Sequence, residues 1–394
     1  MHLSKRTALA AGLVIATVAS LAACSTSSSN TSSGSSTTAS GPAVDLSGVC
    51  PSNIVMQTDW NPEADHGHLY QLLGSDYTVD TKDKSVSGPL MANGKKTGVN
   101  VEIRAGGPAI GYSSVSSEMY QDKSIYMGYV STDEAVQDSA KLPTTAVFAE
   151  NDISPMIAMW DPKTYPSVKT IKELGAALKK NGGVFRYFSG SAYMQYLISS
   201  GQLPKSVTDG SYDGTPAKFV VGKGKDAQQG FATAEPYIYE NEVSAWDKPV
   251  KYALVASTGY PIYPEAMSVR TADLSKDSAC LKKLVPVMQQ ADVDYFKNPA
   301  ATNKLILDLV TQYNNGWTYD EKVADYAVKT MKQLKIATDG SNSYVGDMSS
   351  ARIQKVIDID SPIYAASGTT VKSGLTASDL YTNEFLSKKI GFGF

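Results

Sequence analysis

Apolar runs of about half a dozen residues alternate with stretches of helical period along most of the chain. Residues 53–58 (NIVMQT) form the first such run, and it leads into a polar, proline-containing loop, the pattern of a strand followed by a turn. Residues 99–104 (VNVEIR) alternate with period two, and 125–130 (IYMGYV) and 145–149 (TAVFA) complete a first set of four predicted strands. Predicted helices at 68–74 and 131–139 lie between them, the second capped by Ser131 or Thr132. The pattern changes near 153–160 (ISPMIAMW), where Asp161-Pro162 and Tyr165-Pro166 break the chain. A helix over 170–180 then ends at Asn181-Gly182-Gly183, followed by strands at 184–188, 218–221 and 251–256 and helices at 193–199 and 227–233. From 276 onward the pattern is mostly helical, most clearly over 300–312 and 320–334. Strand and helix in alternation predict α/β layers. A middle block entered and left once each predicts a second lobe inserted into the first, with a hinged cleft between them. The expected boundaries are 46–153 for the first part of lobe I, 154–257 for lobe II, and 258–394 for the return to lobe I and the C-terminal helices.

The N-terminal segment changes the picture from fold to address. His2, Lys5 and Arg6 precede an uncharged, mostly apolar stretch over 8–22. That stretch is shorter than the roughly 20 residues a membrane span needs, so 1–23 is expected to be a signal peptide. Leu21-Ala22-Ala23-Cys24 resembles a bacterial lipobox, in which small residues precede a thiol that takes up lipid. Residues 24–45 are rich in Ser, Thr, Gly and Asn, which suits a flexible tether behind a lipidated Cys24. The expectation is a chain hung on the extracytoplasmic face of the cell membrane; an ordinary secretory signal with an incidental cysteine is the competing reading. In an oxidising compartment the two other cysteines, Cys50 and Cys280, are free to pair, and two separate buried thiols are the alternative.

Composition excludes several classes. The net charge of −3 offers no broad basic surface for nucleic acid. Three histidines without cysteine clusters at ligand spacing predict no metal site and no cofactor. Twenty-three tyrosines suit a pocket that holds small molecules by ring faces and hydroxyls, although most of them will serve sheets and surfaces.

Candidate contacts follow from position. Trp60 and Asn61 stand just after a strand, where open α/β sheets bind ligands. The loop over 106–112 (GGPAIGY), with Gly107 and Tyr112, allows close backbone approach but lacks the spacing of a dinucleotide fingerprint. Ser189, Gly190, Ser191, Ala192 and Tyr193 place small residues before a helix, whose free amides suit an anion or a carbonyl oxygen. Glu235 and Tyr237 open a segment rich in acids and rings, suited to an amine or a ring nitrogen. Asp133 and Trp160 complete the set. His66 has no Ser/Asp arrangement of a hydrolase beside it.

Residues 58–70 (TDWNPEADHGHLY) resemble the segment after the first strand in type II periplasmic binding proteins that take thiamine-pyrimidine precursors, with Asp59-Trp60, Pro62, His66 and Tyr70 matching. Asp65 stands where that branch has asparagine. Residues 128–133 (GYVSTD) and 171–175 (IKELG) are similar in placement to segments of the same branch, which also includes nitrate, taurine and alkanesulfonate binders. The resemblance implies a monomeric solute-binding protein serving the permease and ATPase of an ABC importer, with no catalysis, and places His66 in the pocket. A nitrogen heterocycle suits Trp60, His66, Tyr237 and Glu235 together, whereas a small anion suits residues 189–193 alone. An exported enzyme of the same architecture, or a lipoprotein that contacts only other proteins, are the readings of other classes.

Overall fold

A computed structural model describes residues 42–394. The signal peptide over 1–23, Cys24 and the tether up to residue 41 lie outside the described residues. No helix among the described residues is long and apolar enough to cross a membrane.

Two sheets organise the chain. The strands in order are β1 (Asn53–Gln57), β2 (Thr78–Asp80), β3 (Ser85–Ala92), β4 (Lys95–Arg104), β5 (Ile125–Tyr129), β6 (Thr144–Ala149), β7 (Met156–Trp160), β8 (Phe185–Arg186), β9 (Thr208–Asp209), β10 (Ala227–Phe231), β11 (Lys251–Leu254) and β12 (Ala266–Arg270). The first sheet runs β2-β3-β4-β1-β5-β12-β6, and the second runs β11-β7-β10-β8-β9. In the first, β4, β1 and β5 are parallel, while β12 returns antiparallel between β5 and β6. Central β1 and β5 are buried almost throughout, whereas β4 alternates buried and exposed residues over its outer half.

The chain leaves the first sheet after β6 through residues 150–155 and returns through 255–265 into β12. Arg352, on the C-terminal helix Ser350–Ala366, ties these crossings together. Its guanidinium donates to Asp152 Oδ1 at 2.7 Å and to the Asp152 carbonyl in the first crossing. In the second it donates to the carbonyls of Pro261 at 2.6 Å and Ile262 at 2.7 Å, and it lies 3.7 Å from the centre of the Tyr263 ring. A planar fork with five donors suits this task better than an ammonium. Cys50 and Cys280 are bridged, joining the segment before β1 to the long helix Leu274–Lys297.

Local signals act as expected at several ends. Thr170 caps helix Ile171–Asn181 in a reciprocal box with Glu173, and Gly182 ends it at φ 64°. Asp320 caps helix Glu321–Gln333 by accepting from the Val323 amide at 2.9 Å.

Two elements depart from expectation. Residues 218–221, expected as a strand, lie in helix Ala217–Val221, and 227–233, expected as a helix, begin with β10 at the centre of the second sheet. The glutamines explain the second case. Gln228 and Gln229 are buried, and their amides find partners inside the lobe: Gln228 Nε2 donates to Tyr239 Oη at 2.6 Å, and Gln229 Oε1 accepts from the Phe188 amide and the Tyr193 hydroxyl. A buried strand with paired polar residues carries no apolar signature. The hairpin β2–β3 was not expected either, because Gly88-Pro89 interrupts the apolar run. Proline is accommodated there because β2 pairs only as far as Ser87.

Candidate functional site

The site forms where strand ends of both lobes meet. After β1 the chain turns through Thr58, whose hydroxyl donates to the Trp60 carbonyl at 2.9 Å and lies 3.0 Å from the Arg104 carbonyl. The Gly106 amide donates to the same Trp60 carbonyl at 2.8 Å. Gly107, at φ +56°, lies so close that a Cβ there would sit 2.6 Å from Trp60 Cε3. These contacts hold the indole upright at the mouth of lobe I.

Opposite stands Phe188, immediately before the small-residue turn at the start of helix Ala192–Ser199. The Trp60 ring centre is 6.4 Å from Phe188, 6.0 Å from Tyr112 and 6.0 Å from Trp317. Phe188 in turn is 4.7 Å from Tyr212. Aromatic rings of the two lobes therefore meet across the cleft. A hydrogen bond also crosses it: Thr233 Oγ1 donates to Asp65 Oδ2 at 2.7 Å.

Two connected chambers lie within the cleft, sharing Asp59, Met156, Phe231 and Glu265. The aromatic chamber, about 200 Å³, is walled by Trp60, Phe188, Tyr212 and Trp317, with Glu63 and Glu235 among them. The polar chamber, about 370 Å³, is lined by Ser189–Tyr193, Ser131, Asp133, Glu134, Tyr260 and Tyr364. Ser191 heads helix Ala192–Ser199, but its hydroxyl donates to the Phe188 carbonyl at 2.8 Å and does not cap the helix. The first-turn amides of that helix therefore face the polar chamber without a side-chain cap.

Acids dominate the lining. Asp59, Glu63, Asp133, Glu134, Glu235 and Glu265 contribute, and among the described residues no Lys, Arg or His lines either chamber. Burial, reinforced by Asp65, Asp59 and Glu235, pushes the Glu63 carboxyl well above the usual range, and Glu265 rises for similar reasons. Burial raises Glu235 to about 7 although its carboxylate accepts from the Phe231 amide at 2.6 Å. Burial likewise raises Glu134 to about 8 against two hydrogen bonds from Ser116. A larger groove of about 870 Å³ runs along the outer edge of the first sheet, but its Arg104 is already paired with Glu102 and Asp122.

Of the residues singled out in the sequence, Trp60, Asp133, Ser189, Gly190, Ser191, Ala192, Tyr193 and Glu235 come together on the chamber walls. Gly107 backs the Trp60 ring, and Tyr112 stands exposed at the rim. Four lie elsewhere. Asn61 is buried and bonded to Asn315; His66 is fully buried beneath Asp59. Trp160 packs inside the core of lobe II, and Tyr237 lies against Tyr326, 5.5 Å away. Sequence reasoning missed Glu63, Phe188, Tyr212, Glu265 and Trp317. Phe188 adjoins the turn over 189–193 and Glu63 adjoins the Trp60 loop, so those two had a local signal. Glu265, from the second crossing, and Trp317, from the C-terminal region, had none.

Two α/β lobes, one inserted into the other, with β12 returning antiparallel beside β5 and a cleft at the strand ends, define the type II periplasmic-binding-protein fold. Solved structures agree. The alkanesulfonate-binding protein of Xanthomonas axonopodis pv. citri, bound to MOPS, matches with a TM-score of 0.53 at 12% identity over 84% of this chain and 99% of its own. The periplasmic aliphatic sulphonate binding protein of Escherichia coli matches at 0.53 and 12%, over 86% and 94%. The periplasmic nitrate-binding protein of Synechocystis PCC 6803 matches at 0.50 and 11%, over 85% and 87%. No protein-family model and no curated protein matches the sequence.

Proposed function

We propose that this chain is the solute-binding component of an ABC importer, tethered outside the cytoplasmic membrane through lipid on Cys24. Its solute is a small nitrogen heterocycle carrying a basic amine, and thiamine-pyrimidine precursors are the members of that class to test first. The lobes close over the solute about the crossings at 150–155 and 255–265, and the closed form is what a permease with its ATPase engages. The protein acts as a monomer and performs no chemistry on its cargo.

The observation that carries this reading is the pairing of rings with acids in a cleft that, among the described residues, no basic side chain lines. A flat ring fits the chamber against the side chains of Trp60, Phe188 and Trp317, and its amine meets Glu235 or Glu63. A carbonyl or hydroxyl oxygen at the other end of the solute reaches the amides at the start of helix Ala192–Ser199. Taurine, alkanesulfonates and nitrate find that helix end too, but Asp59, Asp133, Glu134 and Glu265 line the same chamber.

Calorimetry with hydroxymethyl- and formylamino-pyrimidines and with taurine decides between them. The expected outcome is saturable binding of a pyrimidine, weakened about tenfold or more by Glu235→Gln, which corresponds to about 1.4 kcal/mol. Saturable heat with taurine and none with the pyrimidines would reverse the assignment.

A further inference from the structure

We propose that Asp59, His66 and Glu265 form a binding site for one divalent transition-metal ion of the zinc class, at the floor where the two chambers meet. The site adjoins the aromatic chamber assigned to the solute, sharing Asp59 and Glu265 with its wall, and the inference goes beyond that assignment.

Two independent observations carry it. The first is convergence. One ligand atom from each residue lies within 4.8 Å of the others, although Glu265 is far from Asp59 and His66 in sequence. The second is an orphaned imidazole. His66 is fully buried, yet neither ring nitrogen has a hydrogen-bond partner. Its Nε2 points toward Asp59 Oδ1 at 3.2 Å, without the alignment of a hydrogen bond, and that oxygen is also buried and unpartnered. Buried polar groups are almost always satisfied, and leaving two ring nitrogens and a carboxylate oxygen without partners in one spot is costly. A cation held by the lone pair of one ring nitrogen and by the Asp59 oxygen removes most of that cost, the other ring nitrogen carrying the proton.

The donor set selects the ion. One imidazole with two carboxylates suits zinc, cobalt or manganese, and no thiolate is present to favour softer metals. Ligand distances of about 2.0–2.2 Å would require the three atoms to draw in by roughly an ångström from their present spread. Glu265 is placed to supply that movement. It ends the second crossing, and its Oε2 accepts from Asn151 of the first crossing at 2.6 Å. Asp59 and Glu265 also line both chambers, so a bound ion keeps a face open to the cleft. Glu63, Asp65 and Glu150 are buried close by, so further carboxyl groups surround the site.

The test uses the full-length protein stripped with a chelator and titrated with zinc chloride alone, followed by calorimetry and by elemental analysis after gel filtration. The expected result is one ion per chain with a Kd of about 10 µM or tighter. Asp59→Asn and Glu265→Gln, each nearly isosteric, are expected to weaken uptake by about tenfold or more, and His66→Asn to abolish it. The melting temperature of each stripped variant, compared with stripped wild type, shows that the fold persists; if His66→Asn does not fold, the two carboxylate variants decide alone. Zinc uptake well below one per chain, or uptake that survives both carboxylate substitutions, would overturn the proposal. Solute binding is measured separately in the presence of chelator, so a failed metal site and a failed solute assignment give different results.

Discussion

Asp360 gives the most direct handle on the acids packed behind the polar chamber. Its carboxyl is fully buried on helix Ser350–Ala366, with the Tyr260 hydroxyl 3.1 and 3.0 Å from its two oxygens. Burial first, and the nearby Asp133 second, push it up to about 8, while the Tyr260 hydrogen bond pulls the other way. An aspartate in an unfolded chain titrates near 3.9, about four units lower. The folded protein therefore keeps this proton over a range in which the unfolded chain has released it. Its contribution to stability is fully present below about pH 4 and is lost as the pH rises through about 8. Within that window each unit costs about 1.4 kcal/mol, so roughly 2.7 kcal/mol disappears between about pH 5 and pH 7. Asp360→Asn keeps the size and an acceptor for Tyr260 but cannot titrate. Urea unfolding of both proteins without solute, from about pH 5 to pH 7, should show the variant gaining on wild type by about 1.4 kcal/mol per unit. Other raised acids, such as Asp292 at about 8, titrate in both proteins and drop out of the difference. A difference constant to within about 0.5 kcal/mol across that range would refute the reasoning.

Arg352→Ala removes the donors that join the two crossings and should lower the unfolding free energy by about 3 kcal/mol, with Arg352→Lys restoring less than half; denaturant titration measures both. Replacing Cys50 and Cys280 by serine opens a covalent link spanning 230 positions, for which chain entropy gives a loss of up to about 5 kcal/mol; calorimetric melting of the double variant against wild type checks it. Gly107→Ala places a methyl group 2.6 Å from the Trp60 ring at a left-handed backbone position, so it should shift the tryptophan emission and weaken solute binding by about tenfold or more.

The strands that were legible in the sequence are those whose surroundings are uniform. β1, β5 and β6 are buried almost throughout and each carries a run of apolar residues, and helix Ile171–Asn181 carries both its cap and its glycine stop. The reading failed where tertiary partners replace local signals. β10 survives as a central strand because Tyr193 and the Phe188 amide bond Gln229 and Tyr239 bonds the Gln228 nitrogen, and none of these is a sequence neighbour. The same division runs through the site. Trp60 and the turn over 189–193 were visible because strand ends and small residues before a helix announce themselves. Glu265 and Trp317 were not, since the second crossing and the loop before Tyr319 are brought to the cleft by tertiary packing, with no local signal. His66 was visible in a motif, but its lack of partners is a property of the packed interior.

The fold shared with sulfonate- and nitrate-binding proteins leaves the charge of the cargo open, because that charge is set by side chains on the cleft wall. Here those side chains are acids, and at an effective dielectric of about 20 a unit charge 4 Å from another is worth about 4 kcal/mol. An anion enters only if several carboxyls stay protonated, and it then meets a neutral wall with one helix end. A cation has the opposite effect: it draws the carboxyls into their charged form and releases their protons. Glu235, raised to about 7, and Glu134, raised to about 8, are the groups that would respond. The affinity of an amine-bearing solute should therefore rise between about pH 6 and pH 8, as long as the amine itself stays charged, and binding should release protons to the buffer. Calorimetry in two buffers of different ionisation enthalpy measures that release directly. Proton uptake on binding, or affinity that falls over this range, would mean that the acids on the wall repel the cargo and that its charge has been assigned the wrong sign.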